Sequence, residues 1–191
     1  RIAAAGDRVV VQDDGALWSP ESGQVLFDFA VADLARRAEP VVRRAADRAR
    51  SGEDDLDADG WYELGCGLEM TGSSDASDAY RRALEIDPGH ADAHLNLGRL
   101  LHERGDLAAA EDHYRSARRS RPGDMTIEFN LGVVLQDRGE TRGAIEHYLL
   151  SLDADPALAD AHYNLSLLYE KSGEGRKALY HLKQFRSLVG K

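Results

Sequence analysis

The sequence predicts a mainly α-helical solenoid of about four helical hairpins, preceded by a small β-meander and a helix. Two observations carry that prediction. The second half of the chain matches itself at a shift of 34 residues, and within each matched unit apolar residues recur with helical spacing on both sides of a glycine. In register at this shift are Asn96, Asn130 and Asn164, then Gly105, Gly139 and Gly173, then Ala110, Ala144 and Ala178. Pro122 and Pro156 keep the same interval. Ala76, Tyr80, Ala83 and Pro88 lie 34 before their counterparts, whereas Leu64, Gly65, Leu68 and Gly72 lie 33 before theirs, so one residue is missing between Gly72 and Ala76.

Each unit reads as two amphipathic helices. In the second unit His94, Leu97, Gly98 and Leu101 follow i, i+3, i+4, i+7 spacing, and Ala110, Tyr114 and Ala117 follow i, i+4, i+7. Gly105 suits the left-handed residue that ends a helix, and Asp106 favours the positive end of the next helix dipole, a device that Glu140 and Glu174 repeat. Pro122 cannot continue a helix interior and separates one hairpin from the next, as Pro88 and Pro156 do. Gly98 and Ala110 are small at facing positions, so two helix backbones can approach with Tyr114 beside them. The units are assigned to residues 58–90, 91–124, 125–158 and 159–190.

The N-terminal part, residues 1–50, has a different periodicity. Arg8 to Gln12, Ala16 to Trp18 and Gln24 to Phe29 read as the strands of a three-stranded meander with turns at Asp13-Asp14-Gly15 and Pro20 to Gly23. Val31 to Arg50 has helical spacing through Leu34, Ala38, Val42, Ala45 and Ala49, with a kink or break expected at Pro40. An acidic linker spans residues 51–57. Such a meander is too small to stand alone and is expected to cap its own helix or the first unit.

The set Trp61, Leu64, Gly65, Leu68, Ala76, Tyr80, Ala83 and Pro88 resembles the W-x2-L-G-x2-Y, A-x3-F, P signature of the tetratricopeptide repeat (TPR) family. The resemblance covers residues 58–190, with Ser166 in place of the small glycine and Ser151 in place of an alanine. It implies a scaffold that holds a protein or peptide on the concave face formed by the first helices, without catalysis. Residues 6–29, with Gly15-Ala16-Leu17-Trp18 and Ser22-Gly23-Gln24-Val25-Leu26-Phe27, resemble the connector of bacterial regulators that join a MerR-like helix-turn-helix to a repeat array. That second resemblance implies an alternative role, the sensing or assembly half of a transcriptional regulator whose DNA-binding domain lies outside this chain.

Asn96, Asn130 and Asn164 form a ladder along the first helices, broken by Glu63 in the first unit. A side-chain amide can bond the backbone of an extended peptide without reading its side chains, or it can bond a neighbouring helix and support stacking. Arg99, Phe129, Val133, Tyr163 and Leu167 are the neighbouring candidate contacts, and the acidic excess around them points to a neutral or basic peptide or to a solvated face. Relatives that clamp chaperone carboxylates use a basic pocket, and Leu95 and Phe129 stand where its lysine would be, which disfavours that ligand class.

Composition narrows the remaining classes. A net charge of -10 opposes direct nucleic-acid binding, and no apolar run reaches the roughly 18 residues of a membrane helix. The single cysteine, Cys66, has no internal disulfide partner and reads as a packed thiol, and a cytoplasmic setting is the expectation. Only four of the 24 basic residues are lysine, and alanine is abundant, a bias common in GC-rich bacteria. The chain opens on Arg1 rather than Met and is expected to be part of something longer. His113, His147 and His181 recur at 34 residues, but equivalent positions in adjacent units lie about 10 Å apart, so neither a metal nor any other cofactor is expected. No phosphate loop or nucleophile elbow appears, so no catalytic residue is assigned. The last helix, with Leu179, Leu182, Phe185 and Leu188, is expected to present an apolar outer face and to support a homodimer.

Overall fold

A computed structural model describes residues 38–52 and 55–190 with their side chains, together with Arg36, and the backbone of residues 2–5, 8–13, 16–18, 25–26 and 31–37. After α1 (Val31–Ser51) come α2 (Ala58–Met70) and α3 (Ala76–Ile86), then α4 (Ala91–Glu103) and α5 (Leu107–Ser120). The array continues with α6 (Met125–Asp137), α7 (Thr141–Ala154), α8 (Ala159–Lys171) and α9 (Gly175–Val189). Helices α2/α3, α4/α5, α6/α7 and α8/α9 pair as hairpins, and each hairpin packs on the next. Among the described residues no helix is long and apolar enough to cross a membrane.

Each hairpin turns at a glycine with positive φ: Gly72 (73°), Gly105 (82°), Gly139 (79°) and Gly173 (77°). An L side chain is strained in that region, and a glycine there closes the helix end with two backbone bonds. The second unit shows both, Gly105 N–H donating to the His102 carbonyl at 2.8 Å and Asp106 N–H to the Leu101 carbonyl at 3.0 Å. Asp106 then caps α5 by accepting from Ala109 N–H at 3.2 Å. Glu140 and Glu174 stand at the same N-cap position of α7 and α9, where a negative charge meets the positive end of the helix dipole, but neither side chain makes a cap bond. One methylene longer, they pair with Arg138 at 3.0 Å and Lys177 at 2.5 Å instead. The residue missing after Gly72 shortens the following helix: α3 has 11 residues against 14 in α5 and α7.

Within a hairpin the two helices meet through a glycine and a tyrosine. A Cβ placed on Gly65 would come within 2.5 Å of the Tyr80 ring, one on Gly98 within 2.8 Å of Tyr114, and one on Gly132 within 2.6 Å of Tyr148. These three tyrosines have no solvent-exposed surface and stand with Leu97, Ile127, Leu131 and Leu165 among the largest fully buried side chains. In the fourth unit the tyrosine position is Leu182 and the glycine position is Ser166. Both departures answer each other, because without the ring the extra side-chain atoms of Ser166 have room. Between hairpins the buried Glu111 carboxylate is held by Arg115 at 2.5 Å and by Arg138 of the next unit.

The N-terminal expectation needs correction. In place of three strands the backbone ladder has four among the described residues, β1 (Ile2–Ala5), β2 (Arg8–Asp13), β3 (Ala16–Trp18) and β4 (Val25–Leu26), antiparallel in sequence order. Of the strand expected over Gln24 to Phe29, the described residues Val25–Leu26 are strand. The remainder of the connector-like stretch, and all of its side chains, fall outside the described residues. Helix α1 runs through Pro40 without a break in its assignment, and it buries Ala46 and Ala49. Ala46 joins Leu68, Ala76, Ala79, Tyr80 and Leu97 in one core cluster, with Val42 packed against it. Helix α1 therefore covers the side of the first hairpin that no preceding repeat covers.

The glycine–tyrosine contact predicts an asymmetry. Gly98→Ala and Gly132→Ala are each expected to destabilise the protein by about 1–3 kcal/mol through overpacking against the ring. Ser166→Ala is expected to cost less than about 1 kcal/mol, because that position already carries a Cβ. Denaturant melts of the three variants test the difference.

Candidate functional site

The face formed by α2, α4, α6 and α8 carries the asparagine ladder, and the structure assigns its members different work. Asn96 Nδ2 donates to the Tyr80 hydroxyl at 3.2 Å, and that hydroxyl donates to Glu69 Oε2 at 3.1 Å. Two units later Asn164 Nδ2 donates to the Tyr148 hydroxyl at 3.1 Å, and Tyr148 donates to Gln136 Oε1 at 3.1 Å. Each network therefore links the first helix of one hairpin to both helices of the hairpin before it. The same tyrosines pack on the glycines, so one side chain spaces the helices and its hydroxyl ties the next unit on.

The middle rung is built differently. Asn130 Nδ2 turns back to the Thr126 carbonyl of its own helix at 2.9 Å. Tyr114, its expected partner, keeps a buried hydroxyl without a hydrogen-bond partner among the described residues. His102 stands where Glu69 and Gln136 stand in the other units, but its Nε2 is 2.7 Å from Asp137 Oδ2. Burial raises the Tyr114 phenol to about 12.

Other candidate residues separate into two groups. Arg99 lies half-buried between Glu69 and Glu103 and bonds both carboxylates, so its charge is met from within the protein. Phe129 and Val133 are half-buried, with the Phe129 ring 5.5 Å from that of Tyr148. Tyr163 and Leu167, one helical turn apart on α8, remain 43% and 42% exposed. The Tyr163 ring lies 5.2 Å from that of Phe185 on α9. Along the position of Arg99 the residues run Cys66, Arg99, Val133, Leu167, so the track passes from polar to apolar from the first unit to the last. Cys66 is half-buried and packed against the first core cluster, 3.5 Å from the Tyr80 hydroxyl.

A second set of polar contacts escaped the reading of the sequence. His94 Nδ1 meets His113 Nδ1 at 2.9 Å, and His162 Nδ1 meets His181 Nδ1 at 2.9 Å. The equivalent pair in the third unit is Glu128 and His147, at 2.7 Å. All three join the two helices of one hairpin. The recurring separation of 19 residues was the available signal, whereas comparison at 34 residues aligns histidines that never meet. His94 Nε2 faces the Pro88 carbonyl at 3.0 Å and His162 Nε2 the Pro156 carbonyl at 3.2 Å. A carbonyl only accepts, so these Nε2 atoms carry the proton, the same rings accept at Nδ1, and His113 and His181 donate. A proton on the accepting Nδ1 of His94 or His162 would set N–H against N–H. Among the described residues no three His, Cys, Asp or Glu side chains gather closely enough to hold a metal ion.

Residues 68–124 match a family model described as Tetratricopeptide repeat. Over that segment the chain carries tetratricopeptide repeats. Tetratricopeptide repeat protein 8 of Caenorhabditis elegans is 33% identical over 85 residues, which make up 44% of this chain and 15% of that protein. A probable biofilm formation methyltransferase, WspC, of Pseudomonas aeruginosa is 36% identical over 102 residues, 50% of this chain and 24% of that protein. The chain thus spans about a quarter or less of the length of these curated relatives. Among solved structures, a crystal structure of MamA superposes with a TM-score of 0.74 at 21% identity, covering 86% of this chain and 96% of that one. MamA from Desulfovibrio magneticus gives 0.66 at 19% identity, covering 84% and 97%. At this identity the likeness is one of fold, and the TPR array shares it.

Two predictions follow the TPR geometry. Asn96→Ala is expected to lower stability by about 0.5–1.5 kcal/mol by removing an inter-repeat hydrogen bond, and Asn130→Ala by less than about 0.5 kcal/mol. Paired urea titrations compare them. For pH, burial and the facing His162 hold His181 down to about 4 from an ordinary 6.5. The folded protein then binds fewer protons than the unfolded chain between those values, so stability rises with pH there. The contribution is complete above pH 6.5 and is lost as pH falls towards about 4. Thermal melts across this window are expected to show a falling Tm in the wild type and a shallower fall in His181→Asn.

Proposed function

We propose that the TPR array is a protein-interaction scaffold that takes a peptide or protein segment along the first-helix face, the concave side of such solenoids. The observation that carries this reading is the apolar strip of Tyr163 and Leu167, 43% and 42% exposed, beside an Asn164 amide held in place by Tyr148. Burying that strip favours binding, while an amide fixed in advance bonds a passing backbone with little further loss of freedom. Asn96 is held in the same manner, and Phe129 and Val133 continue the apolar track between them. Asn130 completes the ladder by releasing Thr126 when a ligand backbone arrives.

A neutral or basic segment fits best. Glu63, Asp160 and Glu170 are exposed along this face, whereas Arg99 is neutralised by Glu69 and Glu103. In the same reading the N-terminal strands and α1 serve as a cap on the first repeat, supported by the burial of Ala46 and Ala49. Leu179 and Val189 stay exposed on α9, which supports self-association through that helix.

The test uses peptides selected from a random library against the whole chain, with affinities read by fluorescence anisotropy. Tyr163→Ala combined with Leu167→Ala is expected to weaken binding by about tenfold or more, while Arg99→Ala changes it by less than about twofold. Affinity unaltered by the α8 pair would reject the first-helix face as the binding surface.

A further inference from the structure

The opposite face, formed by the second helices, is charged in the first two units and changes character in the last two. At the position of Leu149 the other units carry Arg81, Arg115 and Lys183, and at the position of Tyr180 they carry Asp78, Asp112 and Glu146. Asp78 and Arg81 show what this register ordinarily holds, an exposed ion pair at 2.6 Å. In the third unit the basic member of the pair is replaced by leucine, and in the fourth the acidic member is replaced by tyrosine. The two replacements lie at different positions of the repeat, yet Leu149 and Tyr180 line one groove where α7, the start of α8 and α9 meet. Leu149 is 39% exposed and Tyr180 56%.

The groove has a volume of about 370 Å3. Leu152 and Pro156 add apolar lining, and the buried His181 lies against it. That histidine is fixed on two sides, by the 2.9 Å contact with His162 and by stacking on Tyr169 at 5.6 Å. The floor is therefore set before anything binds, which lowers the ordering cost of association. Of the side chains lining the groove, the carboxylate is that of Asp153, which is exposed, and Glu146 stands one turn from Leu149 and Leu150. A second copy of this chain would bring a net charge of -10 towards these carboxylates.

We propose that this groove is a second docking surface, and that its occupant is an amphipathic helix of another protein whose apolar ridge enters between Leu149 and Tyr180 while a lysine or arginine beside the ridge meets Asp153. A groove bordered by two helices accepts a third helix by its i, i+3/i+4, i+7 side chains. Charge beside the ridge selects among such helices. Because it faces away from the asparagine ladder, this surface would let the array engage two partners at once.

The experiment selects a displayed library of helical peptides, randomised on one face, against the whole chain, with Leu149→Arg/Tyr180→Asp as the counter-selecting protein. Both substitutions install the residue type that sibling units carry at the same place, and circular-dichroism melts verify that the variant is folded. The expected winners share an apolar ridge flanked by Lys or Arg and bind the wild type about tenfold or more tightly than the double variant. If the double variant melts early, Asp153→Lys on the exposed rim replaces it, with the same loss expected for basic peptides. Failure to enrich any peptide that discriminates the proteins, or enrichment of acidic flanks, would overturn the proposal. Dimerisation in light scattering that Leu149→Arg abolishes would assign the groove to a second copy and overturn it equally.

Discussion

Contact between a glycine on the first helix and a tyrosine ring on the second sets the dimensions of the array. Tyr80, Tyr114 and Tyr148 occupy space that any Cβ on Gly65, Gly98 or Gly132 would claim, so the helices of the first three hairpins stand at a distance dictated by a ring lying on bare backbone. The position of the next hairpin follows, because it packs on the second helix so placed, and the tyrosine hydroxyls of the first and third units also receive a hydrogen bond from its asparagine. A single side chain thereby links packing inside a repeat to polar contact between repeats. The apolar term dominates, since full burial of a large side chain contributes about 1.5–3 kcal/mol against about 1 kcal/mol for the hydrogen bond.

Polar groups in this fold are placed so that burial does not leave them exposed to their own cost. Glu111 is enclosed by two guanidiniums, Glu128 by His147, and two histidine pairs satisfy each other across their hairpins. Ser77 and Tyr114 are the departures, each with a buried hydroxyl that has no partner among the described residues, and at Tyr114 Asn130 and His102 are drawn elsewhere. A buried hydroxyl without a bond carries a penalty of about 1–3 kcal/mol, which makes this rung the one where a small rotamer change would gain most.

Hairpins, turns and the shortened first unit were legible in the sequence because a repeat displays its own alignment: one absent residue between Gly72 and Ala76 reappears as a lost turn of α3. A close approach at Gly98 was legible for the same reason, expected against Ala110 with Tyr114 beside it and found with the Tyr114 ring at 2.8 Å and the Ala110 carbonyl at 3.3 Å from an added Cβ. What periodicity could not convey was where side chains turn. Asn96, Asn130 and Asn164 are equivalent in register, yet two bond tyrosines of the preceding unit and one bonds its own helix, in the unit where His102 takes the place of Glu69 and Gln136 and meets Asp137. Arg99 looked available to a ligand because its captor Glu69 lies 30 residues earlier, on another repeat. The dihistidine contacts cross a hairpin at a spacing that helical periodicity does not report.

The paired departures in the last unit, Ser166 with Leu182, define what can be exchanged in this protein. First and second helices of one hairpin are matched to each other, not to the array at large. Joining the first helix of the third unit to the second helix of the fourth would set Gly132 against a leucine and leave a void where a phenol belongs, while the reverse join would drive a ring into a serine. Between the fourth unit and the others the smallest transferable cassette is thus a whole hairpin cut at its proline, whereas the first three units share the glycine–tyrosine pair.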